Sequence, residues 1–466
     1  MRLAGTLRRD LFSPVTCANR HRGRLRSTPM ACKQAASPPA TREPTGRRGP
    51  GAGARRLRLL AAFAVVAIAA AAGAATPDPT YAAGFERTRL LREAGRLVFS
   101  DPALSASGKQ SCASCHDPKR RYNPPNGLDV QRGGSDLTAY GFRAPPTLTY
   151  LNRIPPYSNH FHESDEEGDE SVDGGPAGGL TWDGRVDRGE RQARLPLLSP
   201  FEMANTAHGV AQAVRAARYA PLLREALGAR ALDRDEDAFA AVTRALAAFE
   251  EDYDEFSPYT SKYDAYLTGR ARLSAREARG LALFEDEDKG NCAECHVSRR
   301  GRDGSPPALS DYGLIALGVP RNGRIPRNAD PAFHDLGACG PERADKAGQA
   351  AFCGLFRTPT LRNVALRKAF FHNGSMRSLR DVVAFYATRD ITPERWYGKG
   401  ADGRVRRYDD LPEEYQANVN RDAPFAGQRP GVRPRLDARD VDDLVAFLGT
   451  LTDGYLPRNP YRAERA

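Results

Sequence analysis

Two five-residue segments, Cys112-Ala113-Ser114-Cys115-His116 and Cys292-Ala293-Glu294-Cys295-His296, constrain this 466-residue chain more than anything else in it. Cys-x-x-Cys-His is the attachment pattern of c-type haem: two thiols add to the vinyl groups and the adjoining His supplies the proximal iron ligand. Two copies predict two covalently bound haem c groups and a fold arranged around them. A single copy would also read as a thiol–disulfide redox motif. Zinc is a poor reading, because the pairs stand 180 residues apart and each carries its own His.

The surroundings of the two motifs are alike, which suggests an internal duplication. Glu93-Ala94-Gly95-Arg96-Leu97-Val98-Phe99 precedes the first, and Glu277-Ala278-Arg279-Gly280-Leu281-Ala282-Leu283-Phe284 precedes the second. Each reads as an amphipathic helix running into a loop that carries the cysteines. Further helical periodicity covers Ala211–Leu227, Glu236–Glu250 and Arg439–Leu451, while strand-like alternation is scarce. Pro- and Gly-rich connections such as Pro124–Gly134 and Gly174–Gly179 lie between them. The expected fold is mainly α, with two haem domains and long irregular loops. The first domain would occupy 76–256 and the second 257–466, with the boundary near Asp252–Ser261.

Charge separates the N-terminus from the rest. Residues 1–75 hold 14 Lys+Arg against Asp10 and Glu43, which leaves 55 basic and 56 acidic residues for the remainder. The net charge of +11 therefore describes a leader and not a basic surface for nucleic acid. Residues 1–54 are Arg-, Pro- and Gly-rich without periodicity and read as disordered, with Met30 or a later position as an alternative start. Arg55, Arg56 and Arg58 then precede an apolar run, Leu59–Ala72, and Gly73-Ala74-Ala75, the pattern of a secretory signal peptide. The run is short for a membrane span, so the mature chain is expected in the periplasm with no stable span; an uncleaved anchor is the other reading. In such a compartment Cys339 and Cys353, fourteen positions apart, are expected to pair as a disulfide.

Several ordered motifs resemble the bacterial diheme cytochrome c peroxidases, a family that includes the MauG-type oxidases. They are the two haem motifs, Asp101-Pro102-Ala103-Leu104-Ser105, Trp182-Asp183-Gly184-Arg185 and Pro196-Leu197-Leu198-Ser199-Pro200-Phe201-Glu202-Met203. Arg357-Thr358-Pro359-Thr360-Leu361-Arg362-Asn363-Val364 and Phe370-Phe371-His372-Asn373-Gly374-Ser375 continue the match, which spans about 85–453. The resemblance implies two α-helical cytochrome c-like domains whose haems face each other across their interface.

It also implies roles. Glu202 matches the catalytic glutamate above the first haem, where a carboxylate can take a proton from one peroxide oxygen and return it to the other; the plain alternative is a surface glutamate at a helix start. Gln192 and Pro196 match companion pocket positions, one able to hydrogen-bond peroxide and one lacking an N–H, or else they are ordinary loop residues. Trp182 matches a ring that carries electrons between the haems, compatible with a packed core aromatic; Trp396 has no such motif and defaults to the core.

The chain departs from one branch of the family at the second haem. Where high-potential members place Met fourteen residues past the His of Phe-His-x-Gly, counting from His372 reaches Tyr386, the residue type of the MauG-type branch. Met376 competes with Tyr386 as the distal ligand, and a site with no protein ligand is the third alternative. Met raises a haem potential, whereas tyrosinate favours oxidised iron. The loop His that closes the resting first site in many members is replaced by Arg132. His160 and His162, in an acidic stretch through Glu163–Asp173, are either removable ligands or part of a solvated insertion. An interdomain calcium is implied too, but its side-chain Asn is Ala144, its two carbonyl positions are Arg367 and Ala369, and Lys368 adds further positive charge. Calcium wants more oxygens than this segment offers.

The reaction expected is reduction of hydrogen peroxide to water with electrons from a small c-type cytochrome or cupredoxin. A MauG-like oxidation of a partner protein's side chain, and a non-catalytic electron-transfer cytochrome, are the alternatives.

Overall fold

In the computed structural model, residues 79–160 and 174–456 are described. The leader and signal peptide read over 1–75, His162 and the Glu163–Asp173 stretch lie outside them. The described chain is helical, with two short antiparallel pairings: Arg132–Gly133 with Ala139–Tyr140, and Leu314–Ile315 with Phe356–Arg357.

The two large hydrophobic cores each form around a crossed helix pair. In the first, α1 (Pro79–Phe99) packs against α5 (Asp235–Glu250), with α2 (Gly189–Leu198), α3 (Ala207–Ala216) and α4 (Ala220–Leu227) closing round them. Phe99, Leu104, Leu197, Val210, Leu223, Val242 and Leu246 fill it. The second core follows α6 (Lys262–Leu267) and is built on α7 (Ala275–Glu285), α8 (Leu379–Thr388) and α9 (Ala438–Gly449), with Phe284, Phe385, Leu444 and Phe447 inside. Both cores belong to one compact unit.

The sequence likeness around the haem motifs has a packing counterpart. A Cβ on Gly95 would lie 2.0 Å from the Ala245 carbonyl oxygen, and one on Gly280 would lie 2.0 Å from that of Asp443. Each glycine lets two helix backbones cross in contact. Four residues on, Phe99 and Phe284 are buried against Phe249 and Phe447 respectively. Capping boxes start the second pair of helices: Ser274 with Glu277, and Asp437 with Asp440, each side chain taking the other's orphan N–H.

The continuous helix expected over Ala211–Leu227 is instead two helices. Ala217 is extended (ψ 145°) and the chain restarts at Ala220. Pro221 forces this: inside one helix its ring would clash with the Ala217 carbonyl, whereas in the first turn of a new helix its missing N–H costs nothing. Cys339 and Cys353 are disulfide-bonded, as expected. No helix among the described residues is long and apolar enough to cross a membrane.

Candidate active site

His116 ends the single helical turn Cys112–Cys115 and lines a narrow cavity of about 40 Å³ with both cysteines. Its Nδ1 lies 3.3 Å from the Tyr122 carbonyl oxygen, which favours the Nδ1–H tautomer with Nε2 carrying the lone pair. Burial pushes its pKa down to about 4, so the ring is neutral.

The facing wall comes from α2 and the turn after it. Gln192 and Pro196 stand one helical turn apart on the same face, and both line the cavity. Pro196 cannot donate to the Gln192 carbonyl, and the helix stops at Leu198 because Ser199, ahead of Pro200, is extended. The following turn brings in Glu202, whose N–H donates to Ser199 O (3.1 Å) and whose carbonyl accepts from Gly134 N–H (2.7 Å). A Cβ on Gly133 would lie 2.2 Å from Phe201 O and 2.6 Å from Glu202 O, so only glycine lets that strand lie along the turn.

Glu202 lines the cavity and is exposed to its open space, while the protein around it still desolvates the carboxyl. Burial outweighs the nearby Arg185 and pushes its pKa up to about 6. Glu250, at the end of α5, also lines the cavity, and burial raises it to about 8.

The second cavity is larger, about 220 Å³, and takes its floor from Cys292, Cys295 and His296. His296 Nδ1 lies 3.0 Å from Leu309 O, again leaving Nε2 free. Tyr386, on α8, lines this cavity and stacks on Phe425 at 5.6 Å. Met376 is not among the lining residues; it packs in the second core, its backbone bridged to Phe370. His372 does line it, stacked on Phe356 at 3.6 Å, with a buried Nε2 that makes no hydrogen bond although an Asp410 oxygen is 3.4 Å away. Paired thiols beside a His with free Nε2, and in the second cavity an orphaned polar atom on the wall, are a donor set that fits haem.

One segment separates the cavities: Pro146 and Thr147 line the larger, Leu148 the smaller. Trp182 is on the wall of the larger one and donates its indole N–H to Ala144 O at 2.7 Å; Ala144 N–H in turn donates to His372 O at 2.6 Å.

The family profile described as di-haem cytochrome c peroxidase matches residues 91–272. Methylamine utilization protein MauG of Paracoccus denitrificans is 34% identical over 371 residues, 77% of this chain and 87% of that protein. The chain belongs to the di-haem cytochrome c peroxidase family. The cytochrome c551 peroxidase of Nitrosomonas europaea is 28% identical over 63% of this chain and 71% of its own. Among solved structures, the diheme peroxidase BthA of Burkholderia thailandensis is 39% identical with a TM-score of 0.68, covering 81% of this chain and 87% of that one. Membership makes the chain an oxidoreductase of a di-haem family that includes both MauG proteins and cytochrome c peroxidases.

The remaining sequence candidates sit as follows in this family member. Arg132 lies over the Tyr140 ring, and its carbonyl accepts from Gln110 Nε2. His160 lines neither cavity. Trp396 packs edge-on to Phe385 in the second core. Sequence reasoning passed over Glu250 and His372 as cavity residues. An acidic residue directly after Ala245-Leu246-Ala247-Ala248-Phe249 was the available sign for Glu250.

Proposed function

We propose that this protein is a periplasmic diheme cytochrome c peroxidase that takes two electrons from a small c-type cytochrome or cupredoxin and two protons to turn hydrogen peroxide into two waters. The observation that carries the reading is Glu202 facing the His116 cavity together with Gln192 and Pro196. Haem, attached through Cys112 and Cys115 in one cavity and Cys292 and Cys295 in the other, with His116 and His296 as iron ligands, supplies the redox chemistry that breaks the O–O bond. Glu202, ionised above about pH 6, accepts a proton at its carboxylate from one peroxide oxygen and returns it to the departing one. Gln192 offers an amide to hold peroxide, and Pro196, without an N–H, keeps the adjacent wall free of a competing donor. Trp182, pinned by its hydrogen bond to Ala144, carries electrons between the two sites. A pure electron carrier has no need for the Glu202 and Gln192 pocket.

A MauG-like oxidation of a partner protein is the second reading. Tyr386 at the second cavity, with Met376 outside it, favours this reading, as does the similarity to the Paracoccus protein. Steady-state peroxide turnover with a reduced cytochrome or cupredoxin separates the two. Efficient turnover supports the peroxidase; slow turnover accompanied by peroxide-dependent modification of a partner protein supports the oxidase.

A further inference from the structure

The family resemblance implies a calcium ion between the lobes, bound by a side chain at position 144 and by carbonyls at 367 and 369. Two of those three groups are missing or engaged. Ala144 has no side-chain oxygen, and its carbonyl accepts the Trp182 indole N–H. The Ala369 carbonyl accepts Arg367 Nε at 3.2 Å. The same guanidinium reaches the first lobe, where Nη1 meets Asn123 Oδ1 at 3.3 Å and Nη2 meets Pro145 O at 3.1 Å. Asn123 is 1% exposed, and its amide NH2 is tied to the carbonyls of Arg120 and Arg121, which aims its oxygen at Arg367. One side chain thus gathers three neutral oxygens from both lobes, and the rigid fork of guanidinium donors suits that task.

No carboxylate is paired with Arg367 among the described residues, and burial alone pulls its pKa down to about 10. Calcium, by contrast, requires six to eight oxygens, several of them commonly carboxylate. A guanidinium at the centre of the set uses those oxygens and repels a second cation. Arg120 reinforces the same junction from the other side, donating to the Leu366 carbonyl.

We infer that Arg367 is a built-in cation standing where the family's calcium would bind, so that this enzyme joins its two lobes without calcium. The inference rests on family membership and on these contacts, and not on which reaction the enzyme performs. A guanidinium stays charged and is covalently held, so no chelator can remove it. Arg367 lines the larger cavity, and its positive charge also acts on the His116 ring.

The purified diheme protein, equilibrated with calcium chloride and desalted, is expected to carry far less than one calcium per chain by elemental analysis. Excess EGTA is expected to leave its Tm and ferric absorption spectrum unchanged. Arg367→Ala is expected to lower Tm by several degrees and to shift the electron paramagnetic resonance of the His116 haem; Arg367→Lys, with the charge but fewer donors, is expected to fall between. A stoichiometric calcium whose removal lowers Tm or changes the spectrum overturns the inference, as does an Arg367→Ala protein with parental Tm and spectrum. If Arg367→Ala does not accumulate, the calcium content and chelator response of the parent still decide.

Discussion

Glu202 and Tyr386 hold mirrored problems in protonation. Each is an acid crowded by protein, so burial raises its pKa. For Glu202 the rise stops at about 6, close to the pH at which a proton shuttle must both take and give. Glu202→Gln keeps the shape and removes the shuttle, and stopped-flow or steady-state assays should show peroxide turnover reduced by roughly 10²–10⁴, with haem content preserved. Because the ionised form is the base, parental turnover should rise with pH through about 6, and the Gln variant should lose that limb. Tyr386 goes further: burial keeps the phenol neutral, so only the positive charge of a ferric centre would ionise it. If it binds as tyrosinate, Tyr386→Phe raises the potential of the His296 haem in a spectroelectrochemical titration, while Met376→Leu leaves that haem's spectrum nearly unchanged. Loss of a thioether–iron charge-transfer band in Met376→Leu would give the ligand role to Met376 instead.

At the scale of elements, two glycines repeat one device. Gly95 lets α1 touch α5, and Gly280 lets α7 touch α9, each against a backbone carbonyl that a methyl group would strike. Gly280→Ala must push the helices apart or tilt them, disturbing the packing of Phe284 on Phe447 just above the Cys292 turn. The expected cost is about 1–3 kcal/mol, measurable by denaturant unfolding of the diheme protein. An alanine scan of exposed positions on α7 should cost far less. Gly133 belongs to the same class of constraint, since its missing side chain is what allows the strand to brace the Glu202 turn.

At the scale of the whole molecule, arginines help join segments far apart in the chain. Arg143 donates to Asp183 Oδ2 at 2.6 Å and to both oxygens of Asp335 at 2.7 Å, joining the Trp182 segment to the Asp335 loop. Asp183 is fully buried; desolvation alone would raise its pKa, but Arg143 and then Arg185 outweigh it and bring it down to about 2. A carboxylate whose folded pKa is depressed stabilises the fold above its unfolded value near 3.8 and loses that contribution as pH falls towards 2. Unfolding free energy should therefore drop by about 2 kcal/mol from this group between pH 4 and pH 2. Asp183→Asn should remove that part of the acid dependence while lowering stability at neutral pH, because Arg143 and Arg185 lose a charged partner.

Short-range chemistry was legible in the chain itself. Cys-x-x-Cys-His needs no partner to be recognised, the amphipathic period marks α5 and α9 to within a residue or two, and the likeness of the Gly95 and Gly280 segments is matched by the same close helix crossing at each glycine. The split at Pro221 was legible too, although helical periodicity masked it, because the period reads side chains while the break depends on one missing N–H and one ring. Other features depend on contacts between residues distant in sequence, and only the tertiary structure decided them. It put Tyr386 on the wall of the His296 cavity and Met376 in the second core off that wall, though only ten residues separate them in sequence. It turned Glu250 and His372 towards cavities, and it sent the Arg367 guanidinium across to Asn123 and Pro145. Spacing along a chain specifies which face a residue occupies within its own helix or turn; which oxygen or cavity that face meets is set by how separate segments pack.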